Sequence, residues 1–374
     1  MTGPRRVARL ITRLNIGGPA RQALALTQHL RPEFETVLGA GTPAAAEGEL
    51  SQPDVHIHRL PLVRPLRPRT DVHALLATRR LIVDHRADLV HTHMAKAGTI
   101  GRLSAATVRP QPRTVHTYHG HVLDGYFRPT IERAFLTAER ALAHLTDVIV
   151  AISPEIRDSL LELGVGTLEQ YRVIPLGFDL EAHRAVQGQT GILRERIGLG
   201  PDVPLVGVVG RLVPIKDHAT LLEAMVRLPD VHLAVLGDGE LRAELEATVA
   251  NRGMQHRVHF VGWWTDIPSA MADMDVVALS SRNEGTPVSL IEAGACARPI
   301  VATDVGGVRS VVAADVSGSL VPAGDPVAFA DALDRVLADA ALGRRFGQSG
   351  RERSLAFDQA RLLRDIQGLY SELL

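Results

Sequence analysis

The sequence predicts an α/β protein built from two parallel-sheet domains. At 374 residues the chain exceeds what one hydrophobic core usually holds, since a domain takes about 100–200 residues. Short apolar runs alternate with amphipathic stretches along the chain, which is the pattern of βαβ units. A glycine-containing stretch at 180–203 resembles a connection and separates two halves that both follow this pattern.

Composition narrows the class of protein further. Hydrophobic residues make up 45% of the chain but aromatic residues only 4%, so the cores are expected to be aliphatic. The single cysteine, Cys296, excludes an internal disulfide framework and is typical of a reducing compartment. No apolar run reaches about 18 residues and the start does not resemble a signal peptide. We therefore expect a cytoplasmic protein without a membrane span.

The net charge of −1 conceals an asymmetry between the halves. Residues 1–180 carry 22 Lys and Arg against 17 Asp and Glu, a net +5, and the remainder carries 19 against 25, a net −6. A basic first half favours an anionic acceptor or an anionic lipid surface. A solvated surface explains the same charge and is the commoner reason, so the sequence leaves contact with the inner face of a membrane open.

Apolar runs in the first half predict strands at 6–11, 36–40, 55–60, 89–93, 113–118, 147–152 and 172–175. Helices are predicted at about 20–30, 71–85, from 94, 130–145 and from 154. Ligands of parallel sheets bind at the carboxyl ends of the strands. Polar or glycine-rich turns follow five of these strand ends, at 15–18, 91–96, 117–121, 152–154 and 175–179.

Apolar runs in the second half predict strands at 205–209, 231–236, 257–261, 275–279, 299–302 and 319–321. The last stretch is amphipathic and is predicted to be a helix that packs back on the first half. The predicted organisation is therefore a domain over 1–180, a domain over 181–355 and a returning helix over 356–374.

One stretch of the second half combines two carboxylates with a helix start. Glu284 follows the strand at 275–279 and lies in a turn, and Glu292 lies eight positions on, in the following helix. Thr286 is predicted as the N-cap of that helix and Pro287 as its first residue. Free amides and the positive dipole end suit an anion, while carboxylates suit hydroxyl groups.

Cations are predicted at the end of the first strand of this half. Arg211 and Lys216 follow strand 205–209, and Lys216 is one of only two lysines in the chain. Both side chains suit phosphate oxygens, although a surface ion pair with Asp217 would explain the same residues. Gly-Gly pairs at 17–18 and 306–307 either let a ligand approach the backbone closely or simply form tight turns.

Histidines crowd the strand ends of the first half. His119 ends the strand at 113–118, where it could hydrogen-bond a sugar hydroxyl or stabilise positive charge, although it could equally be an ordinary loop histidine. The others nearby are His91, His93, His116 and His121. Each closely spaced pair shares one face and no carboxylate accompanies it, so no metal site is expected.

Taken together, the motifs resemble the large family of retaining glycosyltransferases with the GT-B fold and an E-x7-E motif. The matching segments are Gly210-Arg211-Leu212 with Lys216, Gly237-Asp238-Gly239, Phe260-Val261-Gly262, Glu284 through Ala293, Gly17-Gly18 and His119-Gly120. The segments 92–98 and 116–126 further resemble capsule and exopolysaccharide transferases. The resemblance covers nearly the whole chain and implies two Rossmann-like domains that face each other across a cleft.

The resemblance also implies roles for these residues. Arg211 and Lys216 would bind the donor diphosphate, Glu292 the ribose, and Glu284 with His119 the donor sugar. The remaining implied nucleotide-sugar contacts are Gly17, Gly18, Gly262, Trp263, Gly285, Thr286, Pro287 and Val288. Trp263 and Trp264 are bulkier than the family pattern leads us to expect, which weakens the assignment of base recognition. Neither a metal nor another cofactor is implied.

The expected function is transfer of a sugar from UDP-N-acetylglucosamine or UDP-glucose to an acceptor hydroxyl, with retention. The acceptor would be a small molecule, a glycan or a lipid-linked glycan in polysaccharide biosynthesis; no nucleic acid partner is expected. Two alternatives stay open at this point: a UDP-sugar epimerase or hydrolase on the same fold, and a non-catalytic nucleotide-sugar-binding protein.

Overall fold

A computed structural model describes residues 4–15, 17–43, 48–52, 54–63, 65–120, 129–186 and 188–374. Of the residues singled out above, His121 lies outside the described ranges, and so does the rest of the segment 116–126 after residue 120. The chain divides into two compact units, Met1–Phe178 with Gln359–Leu374 and Asp179–Asp358. The sequence analysis set these boundaries at 180 and 355.

The strands of the first unit are β1 Arg5–Arg13, β2 Phe34–Gly41, β3 Ile57–Arg59, β4 Leu89–His93, β5 Arg113–Tyr118, β6 Val148–Ala151 and β7 Tyr171–Val173. Those of the second unit are β8 Leu205–Val209, β9 His232–Leu236, β10 Val258–Gly262, β11 Val276–Leu279, β12 Ile300–Thr303 and β13 Ser319–Val321. The strand predicted over 55–60 is shorter than expected, because only its middle residues pair with β2.

The helices up to residue 196 are α1 Gly18–His29, α2 Pro68–Asp84, α3 Ala95–Ala106, α4 Pro129–Ala143, α5 Pro154–Glu162, α6 Glu181–Ala185 and α7 Ile192–Arg196. The later helices are α8 His218–Val226, α9 Arg242–Asn251, α10 Ile267–Ala272, α11 Val288–Ala295, α12 Val308–Val311, α13 Pro326–Ala338, α14 Ala340–Ser354 and α15 Gln359–Leu373.

The first unit contains one parallel sheet in the order β3-β2-β1-β4-β5-β6-β7. Apolar side chains of α1 and α15 pack with one set of strand residues, and those of α2 and α3 pack with another. A sheet buried on both faces needs strands that are apolar almost throughout. Strands β1 and β4 depart from this pattern, because buried polar residues such as Arg9 and His91 are paired by hydrogen bonds within the unit.

Helix α15 is held to its sheet by polar contacts as well as by apolar packing. The Tyr370 hydroxyl lies 2.6 Å from His91 Nδ1 and accepts a hydrogen bond of 2.8 Å from the Arg9 guanidinium. Arg9 is fully buried and also donates to Thr27. A buried charge is tolerated only where hydrogen bonds replace water, so Tyr370 anchors the last helix to β1 and β4.

The second unit contains a parallel sheet in the order β10-β9-β8-β11-β12-β13. Its main core joins strand residues to apolar side chains of α8, α9 and α13, with Phe329 and Leu333 fully buried. Full burial of one such side chain contributes about 1.5–3 kcal/mol.

Residues 180–203, which the sequence predicts as a connection, follow the boundary between the two units and are structured. This stretch contains α6 and α7, and α7 is fixed by the Asp273 carboxylate, which accepts hydrogen bonds from the backbone amides of Thr190, Gly191 and Leu193. Each helix has only five residues, too few for a helical period to appear in the sequence.

Candidate functional site in the second unit

The order of the second sheet places a topological switch point between β8 and β11. From β8 the chain continues to β9 on one side, and from β11 it continues to β12 on the other. In open α/β sheets the crevice at the carboxyl ends of two such strands is the usual ligand site. The loops that leave β8 and β11 carry the cations and the first carboxylate predicted from the sequence.

These two loops are joined by backbone and side-chain hydrogen bonds. The Arg282 amide donates to the Ile215 carbonyl at 2.9 Å, and the Ser280 hydroxyl donates to the Lys216 carbonyl at 3.1 Å. Thr303 on β12 donates to the Ser281 carbonyl at 2.6 Å. The switch point is therefore a connected platform rather than two independent loops.

Lys216 and Glu284 are in direct contact on this platform. Lys216 Nζ lies 2.5 Å from Glu284 Oε1, which also accepts a hydrogen bond of 2.6 Å from the Ser281 hydroxyl. The two side chains are only 20% and 10% exposed. An ammonium has three donors, so Lys216 keeps hydrogen-bonding capacity while Glu284 holds its position. The sequence placed both residues at the site but did not predict their contact.

Arg211 is exposed at the same edge of the sheet. No carboxylate in the described ranges forms an ion pair with it, whereas the neighbouring Asp217 pairs with Arg282 at 2.9 Å and accepts from Thr220. The alternative interpretation of Arg211 and Lys216 as partners of Asp217 is therefore wrong. The Arg211 guanidinium is available to an anion from solvent.

Helix α11 starts one residue later than the sequence predicted. Pro287 occupies the N-cap position with extended backbone, and Val288 is the first helical residue. Thr286 does not cap the helix, and its hydroxyl has no hydrogen-bond partner among the described residues. Because Pro287 has extended backbone, with φ −74° and ψ 104°, the helix begins after it and Thr286 stands one position outside the cap.

Glu292 lies on α11 and is 5% exposed. Its Oε1 is 3.9 Å from Nε2 of His183 on α6, a residue that sequence analysis missed. Burial deprives this carboxylate of most of its contact with water, and that costs free energy unless another polar group hydrogen-bonds to it. The sequence did not predict this neighbour, because His183 lies on a helix of five residues, which is too short to be recognised from a sequence pattern.

Gly306 and Gly307 support the turn that carries Glu284. A Cβ atom at Gly306 would lie 2.1 Å from the Glu284 carbonyl oxygen, and one at Gly307 would lie 1.6 Å from that of Gly285. The Gly307 amide donates to the Glu284 carbonyl at 3.0 Å. The two glycines thus make room for the Glu284 turn, and the Gly307 amide is already used within the protein.

The ends of β9 and β10 extend the platform. The Gly237 amide donates to the Gly262 carbonyl at 2.8 Å, and Gly262 has a positive φ of 82°. The next residue, Trp263, is 53% exposed, an unusual state for the largest apolar side chain. Its indole offers a flat apolar surface at the carboxyl end of β10, which is separated from β8 by β9.

Candidate residues in the first unit

Gly17 and Gly18 start helix α1 in the first unit. Gly17 has extended backbone with φ 164°, a conformation open to any residue, so the left-handed backbone freedom of glycine is not used here. A Cβ atom at Gly17 would meet no atom closer than 3.9 Å. Gly17 therefore provides free space beside the start of α1, and it does not provide an unusual backbone conformation.

His119 lies at the end of β5 and contacts a second histidine. Its Nε2 is 3.0 Å from Nδ1 of His93, and the His93 ring stacks on His91 with centroids 4.3 Å apart. Burial lowers the pKa of His119 to about 3 and that of His93 well below its ordinary value. Both rings are therefore neutral at physiological pH.

Among the described residues, no group of three or more His, Cys, Asp and Glu side chains is placed to hold a metal ion. None of the described helices is long and apolar enough to cross a membrane.

Comparison with known proteins gives consistent matches. A family model described as "Glycosyl transferases group 1" matches residues 190–353, and one described as "Glycosyltransferase Family 4" matches residues 16–182. An Escherichia coli UDP-Gal:alpha-D-GlcNAc-diphosphoundecaprenol alpha-1,3-galactosyltransferase is 29% identical over 73% of this chain and 72% of its own length. A D-inositol 3-phosphate glycosyltransferase of Xylanimonas cellulosilytica is 33% identical over 72% of this chain and 68% of its own length.

The fold also matches solved structures. The crystal structure of Anabaena HepE in complex with UDP superposes with a TM-score of 0.82 and covers 98% of this chain and all of its own, at 22% identity.

Proposed function

This chain belongs to the group 1 glycosyltransferases and has their GT-B fold, and from that premise we propose that it moves a sugar from a UDP-sugar to an acceptor hydroxyl with retention of configuration. The family and the fold expected from the sequence are thereby confirmed. The observation that supports the proposed chemistry most directly is the Lys216–Glu284 pair at the switch point, with an exposed Arg211 on the same loop.

The proposed donor contacts all come from the second unit. Arg211 and Lys216 bind the diphosphate, since a guanidinium and an ammonium both form charge-assisted hydrogen bonds with phosphate oxygens. Glu284 binds the sugar and Glu292 binds the ribose hydroxyls. The other proposed contacts are the first-turn backbone of α11 from Gly285 to Val288, and Gly262 with Trp263 for the base.

Negative charge develops on the diphosphate as the bond between the anomeric carbon and its oxygen breaks. Donors that are already fixed in position stabilise such charge most effectively. In the proposed reaction the acceptor oxygen forms its bond to the anomeric carbon on the same face, and its proton passes to the leaving phosphate oxygen. Lys216, held by Glu284, supplies the charge stabilisation, so no metal ion is needed at this step.

The acceptor is proposed to carry phosphate and to be linked to lipid. One relative is named for a diphosphoundecaprenol-linked acceptor and another for D-inositol 3-phosphate, and both names describe phosphorylated acceptors. The net charge of +5 over residues 1–180 suits such a ligand. We place the reaction in polysaccharide assembly at the inner face of the membrane.

An added acceptor distinguishes sugar transfer from the two alternative functions. An epimerase or hydrolase converts UDP-N-acetylglucosamine alone, and a binding protein releases no UDP with any acceptor. We expect UDP release that depends on an added lipid-diphosphate acceptor, measured by a coupled assay with and without it. Conversion to UDP-N-acetylmannosamine without acceptor would contradict the proposal.

UDP-sugars are expected to stabilise the protein more than other nucleotide sugars. A ligand at 100 times its dissociation constant adds about 2.7 kcal/mol to the free energy of unfolding, or roughly 5–10 °C in Tm for a unit of this size. Thermal-shift measurements with UDP-N-acetylglucosamine, UDP-glucose, GDP-mannose and ADP-glucose check this, with uridine as the control. A larger shift with a GDP- or ADP-sugar would contradict the proposed base.

Helix α2 provides a surface for the proposed membrane contact. Val72, Leu76 and Val83 are between 43% and 58% exposed, and at 3.6 residues per turn they fall within an arc of about 40°. We call these three residues the α2 ridge. The fully buried residues Ala74 and Ile82 lie on another face of the helix. An exposed apolar stripe on a helix of this kind is typical of interfacial binding.

Arginines flank the α2 ridge on both sides. By the same helical spacing, Arg79 lies on one side of the ridge and Arg69 and Arg80 on the other, and all three are exposed. Arg80 also forms an exposed ion pair with Asp84 at 3.4 Å, which offsets its charge in part. Asp71 does not offset them at the surface, because both its oxygens accept hydrogen bonds from Lys96 at 2.7 and 2.8 Å. An apolar ridge between arginines complements an anionic phospholipid surface, where each basic side chain contributes about 1 kcal/mol.

Leu76→Glu is expected to weaken binding to anionic vesicles about tenfold or more, because burial of one leucine contributes about 1.5–3 kcal/mol. Sedimentation with phosphatidylcholine vesicles, with and without an equal share of phosphatidylglycerol, measures the bound fraction. Leu168→Glu is the matched control, since Leu168 is 60% exposed in the same unit but away from α2. Equal binding of wild type and Leu76→Glu would exclude the α2 ridge as the contact.

A further inference from the structure

The contact between His93 and His119 constrains the protons on both rings. Because both rings are neutral, each carries one N–H, and the 3.0 Å contact uses one of the two. The other nitrogens, His93 Nε2 and His119 Nδ1, are buried and have no hydrogen-bond partner among the described residues. It follows that one of these two nitrogens carries a proton and the other does not.

The two residues differ in burial, although both nitrogens themselves are buried. His93 is completely buried in β4, where an N–H without an acceptor would cost free energy. His119 lies beyond the last residue of β5 and is partly exposed as a residue. The arrangement with the lower cost has His93 Nδ1–H donating to His119 Nε2 and the remaining proton on His119 Nδ1.

Neighbouring polar groups do not compete for these nitrogens. His91, stacked on His93, uses Nδ1 with Tyr370 and Nε2 with Thr117. His116 uses Nδ1 with Thr92. The His93–His119 pair is therefore a separate two-ring unit within the histidine cluster.

We propose that His93 is a positioning residue that fixes the tautomer of His119, so that His119 Nδ1 donates a hydrogen bond to an oxygen of the bound substrate. This inference rests on the proposed function, because a sugar-transfer reaction supplies the substrate oxygen. His119 then acts as a neutral hydrogen-bond donor, and neither as a general base nor as a cation. The chemical partner is a hydroxyl or another oxygen acceptor.

The tautomer can be measured without any activity assay. Protein labelled with ¹⁵N-histidine shows by long-range ¹H–¹⁵N NMR which ring nitrogen carries the proton, and His119→Gln identifies the signals. We expect the proton on Nδ1 of His119 in wild type and in His93→Asn, whose amide can still donate from the δ position. In His93→Leu we expect it on Nε2. A proton on Nε2 in wild type, or no change in His93→Leu, would overturn the proposal.

Turnover provides the second readout. His93→Leu is expected to lower kcat about tenfold, because one neutral hydrogen bond contributes a free energy of that order. The KM for the donor should change little. His93→Asn is expected to recover most of the lost kcat. Ile82→Val, which trims a fully buried side chain in α2, controls for reduced stability. Wild-type kcat in a folded His93→Leu variant would overturn the positioning role.

Failure of the proposed function is distinguishable from failure of this inference. Absence of transfer with every donor would contradict the glycosyltransferase proposal, while the NMR measurement on wild type still decides the tautomer. If His93→Leu does not fold, wild type and His93→Asn alone decide it.

Discussion

Lys216→Ala is expected to lower kcat for sugar transfer by about 10²–10³-fold while the protein stays folded. Removal of one fixed donor from a site of developing negative charge has an effect of this size. Lys216 qualifies because Glu284 Oε1 holds its ammonium at 2.5 Å before any substrate arrives. Initial rates at saturating UDP-sugar measure the loss, and thermal unfolding of the free protein reports the fold.

Arg282→Ala is the matched control for this variant. Arg282 belongs to the same pair of loops and also forms an ion pair, with Asp217 at 2.9 Å, but its side chain is 67% exposed. The buried Asp217 carboxylate keeps its hydrogen bond from Thr220 in this variant, and the guanidinium has no proposed substrate contact, so we expect wild-type turnover. A folded Lys216→Ala variant with turnover close to that of Arg282→Ala would exclude Lys216 from charge stabilisation.

Glu292→Ala is expected to raise the dissociation constant for UDP by about 10–100-fold. A hydrogen bond to a charged group contributes about 1.5–3 kcal/mol, which corresponds to this range. The carboxylate is only 5% exposed on helix α11, so it needs little reorganisation to accept the ribose hydroxyls. Isothermal titration with UDP measures the change, and kcat at saturating donor should fall much less than in Lys216→Ala.

Glu292→Gln and Glu195→Ala complete this set of variants. The glutamine keeps an oxygen acceptor without charge and is expected to bind UDP with intermediate affinity. Glu195 is an exposed carboxylate on α7 in the same unit, and its removal should leave the affinity unchanged. Unchanged UDP affinity in Glu292→Ala would show that the ribose lies elsewhere.

The strands were predictable because a parallel sheet buried on both faces favours short runs rich in apolar and β-branched residues. Leu89–His93, Arg113–Tyr118, Leu205–Val209 and Ser319–Val321 have the bounds expected from the sequence. Residues that follow these strands were predictable as site candidates, because the carboxyl ends of parallel strands all lie at one edge of the sheet.

What the sequence did not reveal depends on contacts between distant residues. Lys216 and Glu284 lie 68 positions apart, and His93 and His119 lie 26 apart, so no local pattern records their hydrogen bonds. Gly306 and Gly307 matter because they have no Cβ atom where the turn that carries Glu284 packs against them. No local sequence pattern shows this contact. The N-cap of α11 was misplaced by one residue, because Thr286 and Pro287 fit the usual N-cap and N1 residue types, while the extended backbone of Pro287 delays the helix by one position.

A crystal structure of this protein with bound UDP tests the central claim most directly. The account predicts diphosphate oxygens within hydrogen-bond distance of Arg211 and Lys216, and ribose hydroxyls on the Glu292 carboxylate. It also predicts that the uracil lies beside Gly262 and Trp263. A UDP molecule bound away from the β8–β11 switch point, or with its ribose out of reach of Glu292, would contradict the account.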